Sequence, residues 1–152
     1  MKTLSRFALV LALSFGWSAT QDAASAQDAT ANLSITISGL DGSEGQVLVA
    51  LFKSEKSWLK VPKAERTLKK KITGKDMKVD FKGLPPGTYG VLVVHDADKN
   101  NKLNMRWLPF PKPKEGVGVS NNAPFKKAPE WSTAKFELPA GDKALAIKLN
   151  YP

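Results

Sequence analysis

The sequence predicts an all-β fold: a seven-stranded antiparallel β-sandwich of the immunoglobulin or transthyretin (prealbumin) type, with one long ordered loop. Apolar and polar residues alternate with a period of two in most segments, as in strands with one buried face. Turn residues separate these segments at short intervals. No segment longer than about eight residues shows helical periodicity. A small closed barrel is the alternative architecture.

The first 26 residues have the three parts of a secretory signal peptide. Lys2 and Arg6 precede an apolar run from Phe7 to Trp17, and small residues follow up to Ala26. The apolar run has about 11 residues, whereas a membrane-spanning helix needs about 20. We therefore expect cleavage after Ala26 and export to the periplasm or the medium, and the alternative is an uncleaved signal anchor.

The remaining chain is long enough for one domain and too short for two. We expect residues 27–31 to form a short lead and residues 32–152 a single monomeric domain without a transmembrane segment. The chain has no cysteine. Its core must therefore stabilise the fold without disulfides, and thiol catalysis and thiolate metal sites are excluded.

The first two predicted strands are residues 32–37, with Leu33, Ile35 and Ile37 on one face, and the segment QVLVALF (46–52), apolar on both faces. The turn residues between them favour a hairpin. Ser54 is a candidate N-cap for one or two helical turns that place Trp58 on the core.

The segment TLKKKIT (67–73) is predicted as an edge strand, because Lys70 is in phase with apolar neighbours and a charge there discourages further pairing. MKVDFKG (77–83) alternates as the next strand. After a Pro-Pro-Gly turn, residues 88–95 are apolar on both faces and should be central. Residues 134–138 and 145–151 give the last two strands.

Positive charge is concentrated between residues 53 and 82, which we call the basic segment. It has 11 basic and four acidic residues, a net charge of +7 within a chain of net charge +9. Such a field would attract an anionic envelope lipid or glycan, although a solvating surface is the alternative. Nucleic acid is not expected, because no aromatic residues interleave with the lysines. The residues predicted for this surface are Lys53, Lys56, Lys60, Lys63, Arg66, Lys69, Lys71, Lys78 and Lys82.

Residues 96–130 form a stretch with five prolines and no convincing strand or helix pattern. Structureless loops beyond about 12–15 residues are uncommon in compact domains and are usually functional or organised by something else. Aromatic residues argue against disorder. We expect them to plug the loop into the end of the sandwich, and the alternative is that they line a ligand groove. They are Trp107, Phe110, Phe125 and Trp131.

The segment HDADKNNKLN (95–104) opens this loop with oxygen side chains at alternating positions, as in a calcium loop. The usual Glu at the twelfth position is replaced by Trp107. Ordinary Asp and Asn turn chemistry is the competing interpretation. The candidate ligands for calcium are Asp96, Asp98, Asn100, the carbonyl of Lys102, and Asn104.

His95 is the only histidine in the chain. As the last residue of a central strand, it is expected to bond to a loop backbone group or to Asp96 and so to anchor the loop. A single histidine with two carboxylates is a poor zinc site. A hydrolase using His95 and Ser120 is a further hypothesis, but GVGVS is not a nucleophile-elbow motif.

The segment FKGLPPGTYGVLVVHDADKNNKLN, followed by PKEGVGVSNNA, resembles the exported bacterial proteins of domain of unknown function family 2141. The resemblance covers about residues 32–151 and implies export and a β-sandwich, with no established activity. The family pattern His-Asp-x-Asn-x-Asn-Gly-x-x-Asp begins at His95. This chain departs from it with Asp98 for Asn, Asn101 for Gly and Asn104 for Asp.

The family's Gly-x-Ser-Asn segment falls on residues 118–121. We therefore expect His95, Asn101, Ser120 and Asn121 to anchor the long loop, with its two polar stretches closing on each other. The sequence predicts an exported, non-enzymatic binding or envelope-associated module. The alternatives are a calcium-stabilised loop that presents a small-ligand site and, third, a hydrolase.

Overall fold

The computed structural model describes residues 30–124 and 127–151. The predicted signal peptide and most of the predicted lead lie outside the described residues. The described chain is a β-sandwich, so the predicted fold class is confirmed. No helix in these two ranges is long and apolar enough to cross a bilayer.

Most of the longer strands coincide with segments that the sequence predicts as strands. The chain forms, in order, β1 (Ala31–Ser38), β2 (Gln46–Phe52), β3 (Arg66–Lys71), β4 (Met77–Leu84), β5 (Gly87–Asp96), β6 (Met105–Arg106), β7 (Lys112–Pro113), β8 (Val117–Val119), the single-turn helix α1 (Trp131–Ala134), β9 (Phe136–Leu138) and β10 (Gly141–Lys148). Short 3-10 turns lie at Val61–Lys63 and Ser120–Asn122. The segment that follows Ser54 forms turns where helical turns were predicted.

Two sheets form the sandwich. One has the order β10-β1-β4, and the other has the order β3-β2-β5-β8, with β9 also pairing with β5. β6 and β7 form a separate two-stranded ribbon. The edge position predicted for residues 67–73 is confirmed, since β3 ends its sheet.

The predicted hairpin of the first two strands is wrong, because β1 and β2 belong to different sheets. β1 pairs antiparallel with β4 and parallel with β10, while β2 pairs with β3 and β5. The turn around Gly45 therefore carries the chain from one layer to the other. β8, a three-residue strand that the sequence pattern did not indicate, pairs with β5 at Leu92 to Val94.

Apolar side chains from the facing sides of the two sheets form the main core. The largest fully buried ones include Tyr89, Leu33, Ile35 and Leu51. Tyr89 reaches the Pro85 carbonyl, to which its hydroxyl donates at 2.7 Å. Burial of such side chains supplies most of the driving force for folding.

A second apolar layer covers the outer side of the larger sheet. Leu48, Phe52 and Leu92 point to this side, and the chain after β2 and around α1 packs on them. The Trp58 indole lies edge-on to Phe52 at 5.3 Å and to Trp131 at 5.5 Å between ring centroids, and its Nε1 donates to the Pro129 carbonyl at 2.7 Å. Both faces of β5 are therefore buried, as predicted for a central strand.

Candidate functional site: the polar loop and its partners

The polar loop, residues 95–104, begins at the end of β5 with His95. Its ring is buried at one end of the sandwich. Nδ1 lies 2.7 Å from the Tyr151 hydroxyl, and Nε2 lies 3.0 Å from the Glu44 carbonyl oxygen. The second contact is with the backbone of the β1–β2 connection and not with the long loop or with Asp96. His95 thereby connects the start of the polar loop to the β1–β2 connection and to the C-terminal residues.

Tyr151 continues this connection to the other layer. Its hydroxyl accepts a hydrogen bond from the Asp41 backbone N–H at 2.9 Å. Burial raises the pKa of the Tyr151 hydroxyl above its ordinary value, and the bond from Asp41 opposes this shift only in part. The hydroxyl therefore stays neutral at physiological pH and serves as a hydrogen-bonding group between the two layers.

Asp96 is completely buried, with 0% exposure. Its Oδ1 accepts the Asn100 backbone N–H at 3.0 Å, and its Oδ2 accepts the Asn101 N–H at 2.9 Å and the Gln46 side-chain amide at 2.7 Å. A buried carboxylate is costly unless such donors satisfy it. Asn101 adopts a left-handed φ of 64°, so Asn keeps the turn where the family pattern has Gly.

Asp98 is exposed and lies on the other side of the same turn. Its Oδ1 accepts the Asn100 N–H at 3.2 Å, and its Oδ2 accepts the side-chain amides of Asn100 and Asn104, each at 2.9 Å. The Asn104 hydrogen bond is the main reason that the pKa of the Asp98 carboxyl lies below its ordinary value. The charged form of Asp98 is thus favoured by amide donors.

Glu115 is a member of this site that the sequence reasoning missed. It is buried, and its Oε1 accepts the Ala97 N–H at 3.3 Å, while its Oε2 accepts the Asn104 N–H at 2.9 Å. Carboxylate oxygens of Asp96, Asp98 and Glu115 all lie within 4.8 Å of one another. The sequence feature that could have indicated Glu115 is the segment PKEGVGV, which places an acidic residue beside an apolar stretch eleven residues after Asn104.

The predicted calcium ligands divide into two groups. Asp96 and Asp98 converge with Glu115, and carboxylate oxygens are ligands that calcium prefers. The Asn oxygens bond within the polar loop instead: Oδ1 of Asn100 accepts the Lys102 N–H at 2.8 Å, and Oδ1 of Asn104 lies 2.8 Å from the Asn100 amide nitrogen. The three carboxylates could hold a cation. They also accept hydrogen bonds from nearby N–H groups, as Asp and Asn turns do without a cation.

The side-chain hydrogen bonds of Ser120 and Asn121 go to residues outside the polar loop, so the expected closure of the two stretches through them is wrong. The buried Ser120 hydroxyl donates to the Ala134 carbonyl and accepts the Val91 N–H at 3.0 Å. The Asn121 amide donates to the carbonyls of Thr133 and Lys135. These residues hold α1 and its flanks against the larger sheet. The closure occurs a few residues earlier, at Glu115 and at Gly116, whose carbonyl accepts the His95 N–H at 2.8 Å.

Ser120 and His95 do not form a nucleophile and base pair. Ser120 bonds to Val91, and four residues of strand, about 13 Å, separate Val91 from His95. Both ring nitrogens of His95 already have partners elsewhere. A hydrolase needs the nucleophile and its base within hydrogen-bond reach, so this arrangement does not supply that chemistry.

The three loop aromatics among the described residues do not plug the end of the sandwich. Trp107 and Phe110 are exposed, by 68% and 71%, so the predicted packing is wrong for them. Trp131 is half-buried against Trp58 in the second apolar layer, so it packs on the outer side of the larger sheet and not on the end of the sandwich. Phe125 lies outside the described residues.

The residues predicted for the basic surface are all exposed, and five of them lie on the edge strands β3 and β4. Side chains alternate along each strand, so Lys69 and Lys71 point away from one sheet and Lys78 and Lys82 away from the other. Between the two strands, an Arg66 nitrogen donates to the Lys82 carbonyl at 2.8 Å. The remaining predicted residues, Lys53, Lys56, Lys60 and Lys63, follow β2.

Lys70 also crosses this edge, and its Nζ donates to the Lys78 carbonyl at 2.8 Å. Edge strands expose unpaired backbone carbonyls that can recruit another strand. The cationic side chains of β3 therefore occupy carbonyls on the free edge of β4. Lys70, which is in phase with the apolar residues of β3, thus helps to prevent further strand pairing at this edge, as the sequence predicts.

Comparisons with known proteins identify a family but no activity. Two structures of the pilus-presented adhesin Spy0125 (Cpa) are similar to this chain at 22% and 20% identity, with TM-scores of 0.32 and 0.33. The matches cover 81% and 82% of this chain but only 28% of the adhesin chains, and a similarity this weak supports no inference about fold or function. No curated protein matches the sequence.

A family model described as uncharacterized protein conserved in bacteria (DUF2141) matches residues 35–146. The match includes both sheets, the polar loop and Glu115. It therefore confirms the resemblance indicated by the HDADKNNKLN and GVSNNA segments. The chain belongs to the DUF2141 family of proteins conserved in bacteria.

Proposed function

We propose that this protein is an exported, non-enzymatic binding module of the cell envelope that contacts anionic lipid or glycan through the basic segment. The observation that carries the proposal is the net charge of +7 within 30 residues of a chain whose total is +9. Export is supported by the signal-peptide pattern of residues 1–26.

The basic segment is largely unneutralised. Within the described ranges, its one salt bridge joins Lys53 to Glu65, with 3.3 Å between Nζ and Oε1. An exposed pair of this kind contributes little to stability and cancels one positive charge. The other lysines of the segment are exposed and form no salt bridge with a described residue, so their field is available to an anionic partner.

The placement of the charges favours an extended or planar partner over a small one. Lys69 and Lys71 lie on one side of the β3–β4 edge, and Lys78 and Lys82 lie on the other. A sugar chain with repeated acidic groups could cross this edge and contact both pairs, whereas a layer of anionic headgroups could contact the pair on one side. The open depression near Lys78 and Lys82 also has Asp80 and Asp142 in its lining, so it does not form a dedicated anion pocket.

The test is salt-dependent binding to anionic envelope material. The protein is mixed with vesicles that contain phosphatidylglycerol, or with an acidic glycan, and the bound fraction is measured at increasing salt. We expect binding to weaken at least about tenfold between low and physiological ionic strength, because screening reduces interactions of exposed charges. The double variant K69E/K71E should bind more weakly still at low salt.

The matched control is K135E/K148E, which changes the net charge equally with exposed residues outside the basic segment. It should bind more tightly than K69E/K71E. Equal losses in the two variants would mean that only total charge matters, and salt-independent or absent binding of the unaltered protein would end the proposal.

A second candidate is a cation-stabilised polar loop that presents a small-ligand site. The observation that favours it is the convergence of Asp96, Asp98 and Glu115, for which the described residues supply no salt-bridged lysine or arginine. Calcium at millimolar concentration should then raise the melting midpoint, because ligands that bind the folded state stabilise it. The variant D98N should lose this rise, and an unchanged midpoint in the unaltered protein would dispose of the candidate.

A further inference from the structure

The hairpin formed by β6 and β7 ends in a loop of five consecutive apolar residues, Trp107 to Pro111, with the sequence WLPFP. Trp107 is 68% exposed, Leu108 is 81% exposed and Phe110 is 71% exposed. They are the large hydrophobic side chains that stand exposed in the described part of the chain. All of them therefore lie within four positions, at one tip, which we call the apolar tip.

Such a concentration is unusual for a surface in water. Single exposed hydrophobic residues are common, but contiguous apolar patches mark sites that contact another protein or a membrane. The rest of the chain buries its large apolar side chains in two layers. The exposure of the tip is thus not a general property of this surface.

Positive side chains surround the base of the apolar tip. Arg106 and Lys112 are cross-strand partners immediately before and after it, and Lys114 follows. All three are exposed, and none forms a salt bridge with another described residue. Aromatic residues flanked by Lys and Arg are typical of segments that lie at a membrane interface, where cations contact anionic headgroups.

The base of the hairpin is fixed to the sandwich. The Lys114 backbone N–H donates to the Asn104 carbonyl at 2.8 Å, and the Asn104 N–H donates to Glu115. The polar loop therefore holds the hairpin at its base and leaves the tip projecting. Binding costs less conformational entropy when the residues that make the contact are already held in position.

We propose that the apolar tip inserts into the interfacial region of a bilayer that contains anionic phospholipid. Trp107, Leu108 and Phe110 enter the boundary between headgroups and acyl chains, while Arg106 and Lys112 contact lipid phosphates. This proposal goes beyond the function proposed above, since it concerns a different surface and a hydrophobic contact. Either proposal can fail while the other stands.

The experiment uses protein purified from cells that express the whole chain, so that any processing of residues 1–26 has taken place. Mass spectrometry confirms that all variants share one N-terminus. Binding is measured by sedimentation with vesicles of phosphatidylcholine, with and without phosphatidylglycerol. The variant W107S/L108S/F110S replaces the apolar tip with small polar residues, and its melting midpoint shows that the sandwich still folds.

We expect the triple variant to bind the anionic vesicles at least about tenfold more weakly, because transfer of apolar surface from water drives insertion. Brominated phosphatidylcholine should quench the tryptophan fluorescence of the unaltered protein. The matched variant W107F should retain binding and lose most of this quenching, since Trp58 is buried, Trp131 is half-buried and Trp17 belongs to the predicted signal peptide. Both results would support insertion of the tip.

Equal vesicle binding by the triple variant and the unaltered protein would overturn the proposal. So would a loss confined to K69E/K71E, which would leave the basic segment as the contact surface. A dimer that becomes a monomer in the triple variant, with vesicle binding unchanged, would show that a second copy covers the tip and would also overturn it.

Discussion

The Glu115 carboxylate accepts hydrogen bonds from both nitrogens of Asn104, from the backbone N–H at 2.9 Å and from the side-chain amide at 3.3 Å. It thereby joins the two sides of the hairpin base, one residue before β6 and two residues after β7. The network that connects β5 to the long loop depends on this contact between residues eleven positions apart.

Replacement of Glu115 by Ala should lower the free energy of unfolding by about 1–3 kcal/mol, because N–H groups of Ala97 and Asn104 lose their acceptor. Urea denaturation measures the change. Glu55→Ala is the control, since this side chain is exposed. Equal midpoints for the two variants would contradict the prediction.

The Asp98 carboxyl should have a lowered pKa that depends on Asn104. A folded-state pKa below the unfolded value, about 3.9, contributes stability above that value and loses it as the pH falls through the folded-state pKa. In N104A, the Asp98 pKa should rise toward its ordinary value. NMR titration of the carboxyl carbon measures it, and identical titration curves in variant and parent would refute the stated cause.

Tyr151 should contribute a loss of stability at alkaline pH. Burial raises the folded-state pKa of Tyr151 above the unfolded value of about 10. The free energy of unfolding that this difference supplies is fully present below about pH 10 and is lost as the pH rises through the folded-state pKa. Tyr151→Phe removes this ionisation, although it costs about 1 kcal/mol at neutral pH through lost hydrogen bonds.

The measurement for Tyr151 is the difference in urea midpoint between the parent and Tyr151→Phe at neutral and alkaline pH. All other ionisable groups are common to the two proteins, so their effects cancel in this comparison. The difference should shrink as the pH rises. A constant difference would mean that the Tyr151 pKa is the same in the folded and unfolded states.

Gly90 should not tolerate a side chain. A methyl group there would lie 2.7 Å from Cζ3 of Trp131 and 2.9 Å from Cζ3 of Trp58, so Gly90→Ala should destabilise the protein by about 1–3 kcal/mol. Thermal unfolding and the near-ultraviolet circular dichroism of the tryptophans report the change. Gly74→Ala is the control, because the nearest atom there is 3.8 Å away; a similar effect in both variants would count against a tight second layer.

The sequence predicted seven of the ten strands in the described residues but not all of their partners. Alternation along Leu33, Ile35 and Ile37 shows which side of β1 is buried and says nothing about which strand lies beside it. The parallel pairing with β10 joins residues 110 positions apart, such as Ile35 and Leu145. The three residues of β8 were missed because Val117, Gly118 and Val119 are too short a segment to alternate recognisably.

The part of the site that is local in the sequence was predicted, and the part that depends on distant residues was not. Asp and Asn at alternating positions gave the turn between Asp96 and Asn104, which is local in the chain. Glu115 was missed because the calcium-loop template expects a carboxylate at the twelfth position, where Trp107 stands. The third carboxylate, that of Glu115, follows the hairpin in the sequence. The pairing of Met105 with Pro113 and of Arg106 with Lys112 places it beside the polar loop.

The hydrogen bonds at the hairpin base involve residues up to Asn104 and from Lys114 onward, and none of them uses a side chain of the apolar tip. Selection can therefore act on the two regions separately. Residues of the apolar tip can be exchanged without removing a hydrogen bond of the base. For protein engineers, the same separation makes this hairpin a suitable place to graft a foreign recognition loop.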